Sequence, residues 1–350
     1  MSLELTELRD SARDVLGGLG LAADEARSWR QIVDLGWLQL TVPEELGGLG
    51  EGAAAACAMH RELGAHLATV PYLPALLAIE AVCRSDPLKA REWIARLTAG
   101  EYVATSLATS SLTLPAGERL VLSGSATAVP SADSASQLLV PLVMSGESTC
   151  IAMVPRAQPR VDLVPRETWD RTRRLFDIRF GSVELQDGQL LVRGAAAQAL
   201  IARLDTLRDF ALAADSVGGA ETLLAMTVEH LKTRRQFARP LALFQALKHR
   251  CADLKAELAA AEALLLDSLA RLDHGAEEHN AARMGKAVKQ LACATYYRVA
   301  EEAMQLHGGI AMTAEHPCHL FLKRALLNEQ LGRARERYEF DLAAELVANT

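Results

Sequence analysis

The side chains best suited to chemistry fall in two short stretches of the C-terminal half. The first, Thr233-Arg234-Arg235-Gln236-Phe237-Ala238-Arg239-Pro240-Leu241, follows Lys232 and precedes Phe244-Gln245. A guanidinium offers a planar fork of donors, so this basic cluster suits an anionic small ligand as well as a polymer. The second stretch is Gln305-Leu306-His307-Gly308-Gly309-Ile310. Paired glycines after a helical run commonly form its C-cap, and they also let a ligand approach the backbone because no Cβ intervenes. His316 and His319 are spaced as zinc ligands could be, but no further His or Cys completes a set, and no metal is expected. The six cysteines, Cys57, Cys83, Cys150, Cys251, Cys293 and Cys318, are scattered without a C-x-x-C pair. Zinc ribbons and disulfides are therefore not expected, and no Ser/His/Asp grouping marks a nucleophile.

The elements that must position these stretches are readable in outline. With 350 residues the chain is long enough for two or three packed units. Half of it is hydrophobic and 23% is charged, a globular composition. The net charge of -7 and the pI near 5.8 argue against nucleic acid as a partner. No run is apolar enough to cross a membrane, and the start Met1-Ser2-Leu3-Glu4-Leu5 lacks a signal-peptide pattern. A cytoplasmic enzyme is the expectation. Apolar residues recur at helical spacing through Leu5-Leu8-Ala12-Val15-Leu16 and Ile32-Leu35-Leu38, with further helices over 53–68 and 74–84. From Glu101 to Gly194 the chain turns to short Val-, Thr- and Leu-rich runs between turn residues: 102–107, 119–122, 137–142, 149–154 and 175–180. From Ala195 it is strongly helical, over 204–232, 242–274, 281–306 and 318–347. The fold class is α+β: an N-terminal helical domain (1–100), a middle β domain (101–194) and a C-terminal four-helix bundle (195–350).

In order along the chain, these segments resemble the acyl-CoA dehydrogenase family. That family carries an Arg-x-x-Phe-Gly turn followed by Phe-Gln at the start of the next helix. Here the run is Arg234 to Phe237, with Ala238 in place of the glycine, then Phe244-Gln245. Gln305-Leu306-His307-Gly308-Gly309 and the later Glu315-His316-Pro317 match a second signature. Gly36-Trp37-Leu38, the Val42 to Gly50 loop and Glu62-Leu63-Gly64 match the N-terminal domain. The resemblance implies FAD as cofactor. Arg234, Gln236, Phe237 and Gln245 would serve its pyrophosphate and adenine end, and Gln305, Gly308 and Gly309 would approach the flavin of a neighbouring subunit. It also implies an acyl-CoA substrate and an electron-transfer flavoprotein or similar acceptor.

Two departures from the family bear on mechanism. The Thr-Glu-Pro…Gly-Ser loop that touches flavin and thioester is shortened over Thr105 to Leu112, its Glu-Pro and Gly-Ser elements absent, and Ala128 and Val129 stand near where an aromatic ring would face the flavin. α,β-Dehydrogenation also needs a carboxylate to take the α-proton. One usual position for that base is Gly332 here and the other is Arg208, leaving neighbouring Asp209 as the candidate. Such gaps occur in bacterial family members assembled from two homologous subunits, which often act on bulky CoA thioesters such as steroid side chains or ring fragments. The expectation is FAD-dependent dehydrogenation of an acyl-CoA within an oligomer of homologous subunits. The alternatives are a non-catalytic partner completing a neighbour's flavin site, or a diverged flavoenzyme of the same fold.

Overall fold

A computed structural model describes residues 3–107, 111–114, 120–144 and 149–348. Five helices open the chain: α1 (Leu3–Leu19), α2 (Glu25–Asp34), α3 (Ala53–Ala65), α4 (Tyr72–Cys83) and α5 (Pro87–Thr98). Their starts follow capping chemistry. The Asp24 carboxylate accepts from Arg27 N to begin α2, and Asp86 accepts from Leu88 N and Lys89 N to begin α5, where proline takes the first helical position. The cap of α3 comes from far away in sequence. Gly52 has no side chain to offer, and Asp273 instead accepts from Ala53 N at 2.8 Å and Ala54 N at 3.0 Å.

A single sheet follows: β1 (Val103–Thr105), β2 (Ser111–Leu114), β3 (Leu120–Pro130), β4 (Gln137–Met144), β5 (Thr149–Pro155), β6 (Val161–Arg166), β7 (Leu175–Leu185) and β8 (Leu190–Arg193). The strand order is β6-β7-β3-β2-β4-β5-β8, with β1 added against β4. The long β3–β7 ladder pairs Gly124 with Phe180 and loses register between Ala126 and Val129, where Ala128 adopts a left-handed φ of 53°.

The C-terminal part begins with α6 (Ala195–Thr233), whose 39 residues span about 58 Å at 1.5 Å per residue. A small hairpin, β9 (Arg235–Gln236) and β10 (Arg239–Pro240), leads to α7 (Gln245–Asp273), α8 (Glu278–His307), α9 (Cys318–Gln330) and α10 (Arg335–Ala348). The expected fourth long helix is thus two helices. They are separated at Gly332, which has φ 83° and gives its amide to the Leu107 carbonyl at 2.6 Å rather than to its own helix. Helix α5 and strands β2, β6 and β8 are additions to the sequence expectation. Residues 108–110 of the shortened loop, and Arg119 at the start of an expected strand, lie outside the described residues.

The apolar interior has two parts. One joins the N-terminal helices to the sheet through Ile32, Leu38, Tyr72, Leu138 and Ile151. The other fills the bundle around Phe210, Leu258, Val299 and Phe321. Helix α6 contributes to both, which holds the sheet in fixed relation to the bundle.

Candidate active site

The residues expected to hold a cofactor gather at one pole of the bundle. Phe237 and Ala238 form the two-residue turn of the β9–β10 hairpin, at φ 51° and 61°, the positive values that a tight hairpin turn demands. The Arg239 guanidinium lies 3.9 Å from the centroid of the Phe244 ring and the Phe237 ring meets the same ring edge-on at 6.1 Å, which stiffens the turn. Phe237 itself is 87% exposed. Arg234, Gln236, Gln245, Gln305, Gly308 and Gly309 are exposed as well. A Cβ added at Gly308 or Gly309 would meet nothing within 4 Å. These groups face outward, and among the described residues the Arg234 guanidinium has no hydrogen-bond or ion-pair partner. An exposed ring, amides, a guanidinium and bare backbone suit a dinucleotide arriving from outside this chain.

Three histidines fasten that pole, of which His230 carried no sequence signal. His307, at the end of α8, has its ring 4.5 Å from His230 at the end of α6 and 4.5 Å from His316 just before α9. Nδ1 of His307 donates to the Ala303 carbonyl at 2.8 Å, and Nδ1 of His316 accepts from Cys318 N at 3.2 Å. Burial, with the neighbouring imidazoles, holds His307 and His230 below the usual histidine range, which favours their neutral forms. Among the described residues no group of His, Cys, Asp or Glu could hold a metal ion.

A second cluster lies where α6 passes the break between α9 and α10. Gly332 and Arg208, the two positions where the family resemblance seats a catalytic carboxylate, come together here. A Cβ on Gly332 would stand 3.1 Å from Arg208 Nε and 2.5 Å from the Tyr338 hydroxyl. Asp209 Oδ1 accepts from Tyr338 Oη at 2.7 Å, from Arg208 Nη2 at 3.0 Å and from Arg208 Nε at 3.2 Å. Arg208 also reaches Asp205 at 2.5 Å, and Lys289 Nζ sits 4.5 Å from the centroid of the Tyr338 ring while donating to the Glu329 carbonyl at 2.9 Å. Burial opposes the charge on Arg208, but Asp209 and Asp205 keep it protonated, and burial raises the Tyr338 phenol so that it stays a donor. This arrangement does not suit the general-base role expected of Asp209. The side chain is 4% exposed as a residue, and its oxygen is already engaged by three donors. Asp209 anchors Arg208 and Tyr338.

A third set, invisible in the sequence, locks the sheet to the bundle. Arg324 of α9 has no exposed surface. It donates to Asp170 at 2.9 Å, to the Ala68 carbonyl at 3.0 Å, to the Thr172 hydroxyl at 2.5 Å and more weakly to Asp215 at 3.4 Å. Asp215 of α6 also accepts from Arg173 at 2.8 Å and Asn328 at 2.6 Å. Burial would raise the Asp215 carboxyl, but Arg173, Arg324 and the Asn328 amide hold it below the usual carboxylate range.

A helical domain, a sheet set against it, and a bundle whose outward pole carries an arginine-rich hairpin beside a Gly-Gly helix end make up the chain. Comparisons with known proteins give the family. The profile described as "Acyl-CoA dehydrogenase, N-terminal domain" matches residues 5–101 and that described as "Acyl-CoA dehydrogenase, C-terminal domain" matches 182–336. Acyl-CoA dehydrogenase IpdE2 of Mycobacterium tuberculosis is 35% identical over 304 residues, covering 87% of this chain and 81% of the relative. Among solved structures, the Tcur3481-Tcur3483 steroid ACAD superposes with a TM-score of 0.87 at 26% identity, covering 99% of this chain and 98% of that one. An FAD complex of PigA superposes with a TM-score of 0.88 at 18% identity, covering 100% and 99%. The chain belongs to the acyl-CoA dehydrogenase family, whose members are flavoproteins. Among the described residues, no helix is long and apolar enough to cross a membrane.

Proposed function

We propose that this chain is one subunit of an FAD-dependent acyl-CoA dehydrogenase built from homologous chains, in which it completes a neighbour's flavin site and the proton-abstracting carboxylate comes from the other chain. The observation that carries the reading is the occupied base position: the Tyr338 hydroxyl stands where a side chain on Gly332 would begin, with Arg208 beside it. A glutamate there would have to displace the Tyr338 hydroxyl and hold a strained backbone at φ 83°, and the cationic Arg208 turns the local chemistry from accepting a proton to donating hydrogen bonds. At the pole, Arg234 supplies a charge-assisted fork for the pyrophosphate and Phe237 a face for the adenine. Gln236, Gln245 and Gln305 add amide contacts, and Gly308 and Gly309 let the cofactor approach the backbone. Bound FAD supplies the hydride acceptor, and an electron-transfer flavoprotein or similar protein takes the electrons onward. The pairing with a second homologous chain and a bulky, steroid-type acyl-CoA substrate draw support from the similarity to the Tcur3481-Tcur3483 steroid ACAD.

The test is co-expression with a homologous partner chain and stopped-flow reduction of the flavin band by acyl-CoA. Asp209→Asn, which keeps an acceptor oxygen for Arg208 and Tyr338, leaves bleaching intact, whereas replacing the partner's carboxylate abolishes it with flavin still bound. Loss of bleaching in Asp209→Asn with full flavin occupancy would overturn the proposal.

A further inference from the structure

Two pieces of chain distant in sequence make up the pole proposed to complete a flavin site, and they meet at the histidine stack. One piece ends α6, where Arg234 N donates to the His230 carbonyl at 2.9 Å. The other ends α8, where Gly308 N donates to the Met304 carbonyl and Nδ1 of His307 donates to the Ala303 carbonyl. The His307 ring lies 30° from parallel with His230 and 50° from His316, at 4.5 Å from each. His316 closes the segment that Gly308 opens: after the short 3-10 turn Gly308–Met312, the bond from His316 N to the Thr313 carbonyl returns the chain to the stack. Arg234 follows one ring by a single helical turn and Gly308 directly follows another, so the contact between the rings fixes where the two stand relative to each other.

The stack has no place for a proton. Nδ1 of His307 carries the hydrogen given to Ala303, so Nε2 is the bare nitrogen of the neutral ring, and it is buried without a hydrogen-bond partner. A proton there makes a charged ring out of water whose new N–H finds no acceptor. On His316 the bare nitrogen is Nδ1, and a proton on it displaces the Cys318 amide at 3.2 Å. The surroundings do not compensate. From α9, Cys318 Sγ stands 4.0 Å from His307 Nδ1, and His319 lies beside His316 and Lys323. From α6, Arg234 adds positive charge next to His230. The groove that His230 and His316 share with α1, α3 and α7 carries Arg13, His66, Cys251 and Lys255 with the carboxylates Glu62, Glu221 and Glu229. Each of those carboxylates is already paired: Glu62 with Arg9 and Arg13, Glu221 with Arg61, and Glu229 with Lys232. Glu315, adjoining His316, is exposed to solvent. We propose that His307, held between His230 and His316, is a positioning residue that sets Arg234 and Gly308-Gly309 in register, and that the stack gives up this register when it takes up a proton. The inference rests on the reading of this pole as a flavin-completing surface and gives that surface a pH dependence. Because burial and the neighbouring charges hold His230 and His307 below their ordinary value, the contribution of the stack is complete above about pH 6.5 and is lost as the pH falls beneath it.

The experiment follows hydrogen exchange in the purified full-length chain, corrected for the intrinsic effect of pH and read by mass spectrometry on peptides that contain the Arg234, Gly308 and Thr313 amides. Between about pH 7.5 and about pH 5.5, an imidazole of ordinary pKa in the released pole lowers protection by up to about tenfold for each histidine that the stack keeps neutral. Peptides from the middle of α7 keep their protection over the same range. His230→Phe leaves a ring against His307 and removes one titrating site, so protection at the higher pH is retained and its fall with pH is shallower. His230→Ala removes the ring and lowers protection of the pole already at the higher pH. Pole protection that is equal at both pH values overturns the proposal. So does an undiminished pH dependence in the double variant His230→Phe/His307→Phe, and should that variant fail to fold, an undiminished dependence in His230→Phe alone does so. FAD retention by the co-expressed complex is measured over the same range. Retention that falls together with pole protection, and falls less in His230→Phe, supports the stack and the flavin-site reading alike. Protection that falls in the chain while retention stays constant supports the stack and counts against the flavin-site reading, so the two fail separately.

Discussion

Replacing Arg324 by methionine removes a guanidinium that has no contact with water and leaves Asp170 facing an apolar side chain. Deleting one partner of a buried ion pair costs about 3–5 kcal/mol, most of it the penalty of the stranded charge. With an unfolding entropy of about 2.1 cal/mol/K per residue, a chain of 350 residues converts that loss into a fall in Tm of about 4–7 °C. Scanning calorimetry at fixed protein concentration and pH 7 measures it, the concentration being held because association also raises the melting temperature. Adding Asp170→Asn removes the stranded charge while keeping an acceptor for Thr172, whose amide and hydroxyl reach Asp170 Oδ1 at 2.8 and 2.5 Å. The double variant therefore melts above Arg324→Met alone. The pH dependence has a defined sign. The Asp215 carboxyl is depressed in the folded state, so its contribution is present above its unfolded value near pH 4 and fades as the pH falls below that. Wild type thus loses part of this network on acidification, and the gap between the two melts narrows. A fall in Tm below 1 °C for Arg324→Met at pH 7 would refute the claim that the network ties sheet to bundle.

Two further substitutions have signs fixed by geometry. Ala238 sits at φ 61°, where a Cβ is strained, so Ala238→Gly should raise stability by up to about 1 kcal/mol, seen as a higher melting temperature with flavin occupancy unchanged or improved. Asp273→Ala strips the cap from α3 and should cost about 1 kcal/mol; hydrogen exchange at Ala53 and Ala54 should speed up, while exchange in the middle of α8 stays slow.

The sequence made the order of domains legible because helical and strand periodicities change sharply near Glu101 and Ala195. It also pointed to the hairpin and the Gly-Gly end, since both are local: a turn and a helix terminus are specified by neighbouring residues. It did not reveal the break at Gly332, because a lone glycine inside a helical pattern is ordinarily tolerated. The break is decided by a tertiary bond to the Leu107 carbonyl. The same reason hid the histidine stack and the Arg324 network, whose members are joined across gaps such as the 154 residues between Asp170 and Arg324. In the sequence Asp209 was the candidate base, as the carboxylate beside Arg208 at one of the two usual positions. Only the position of Tyr338, 129 residues downstream, shows that its oxygen is engaged.

The cap of α3 has a consequence for biosynthesis. Its carboxylate lies 220 residues beyond the amide it satisfies, so on the ribosome α3 has no native N-terminal partner until the second bundle helix has been made. At about 5–20 residues per second that interval is roughly 10–40 s. For that time the alanine-rich start of α3 must fray or borrow other acceptors, and the apolar face of α4 waits for part of it, until α6 is complete at Thr233. Nascent chains stalled before residue 273 should therefore engage chaperones through the N-terminal domain, which gains its final shape only when the bundle closes on it.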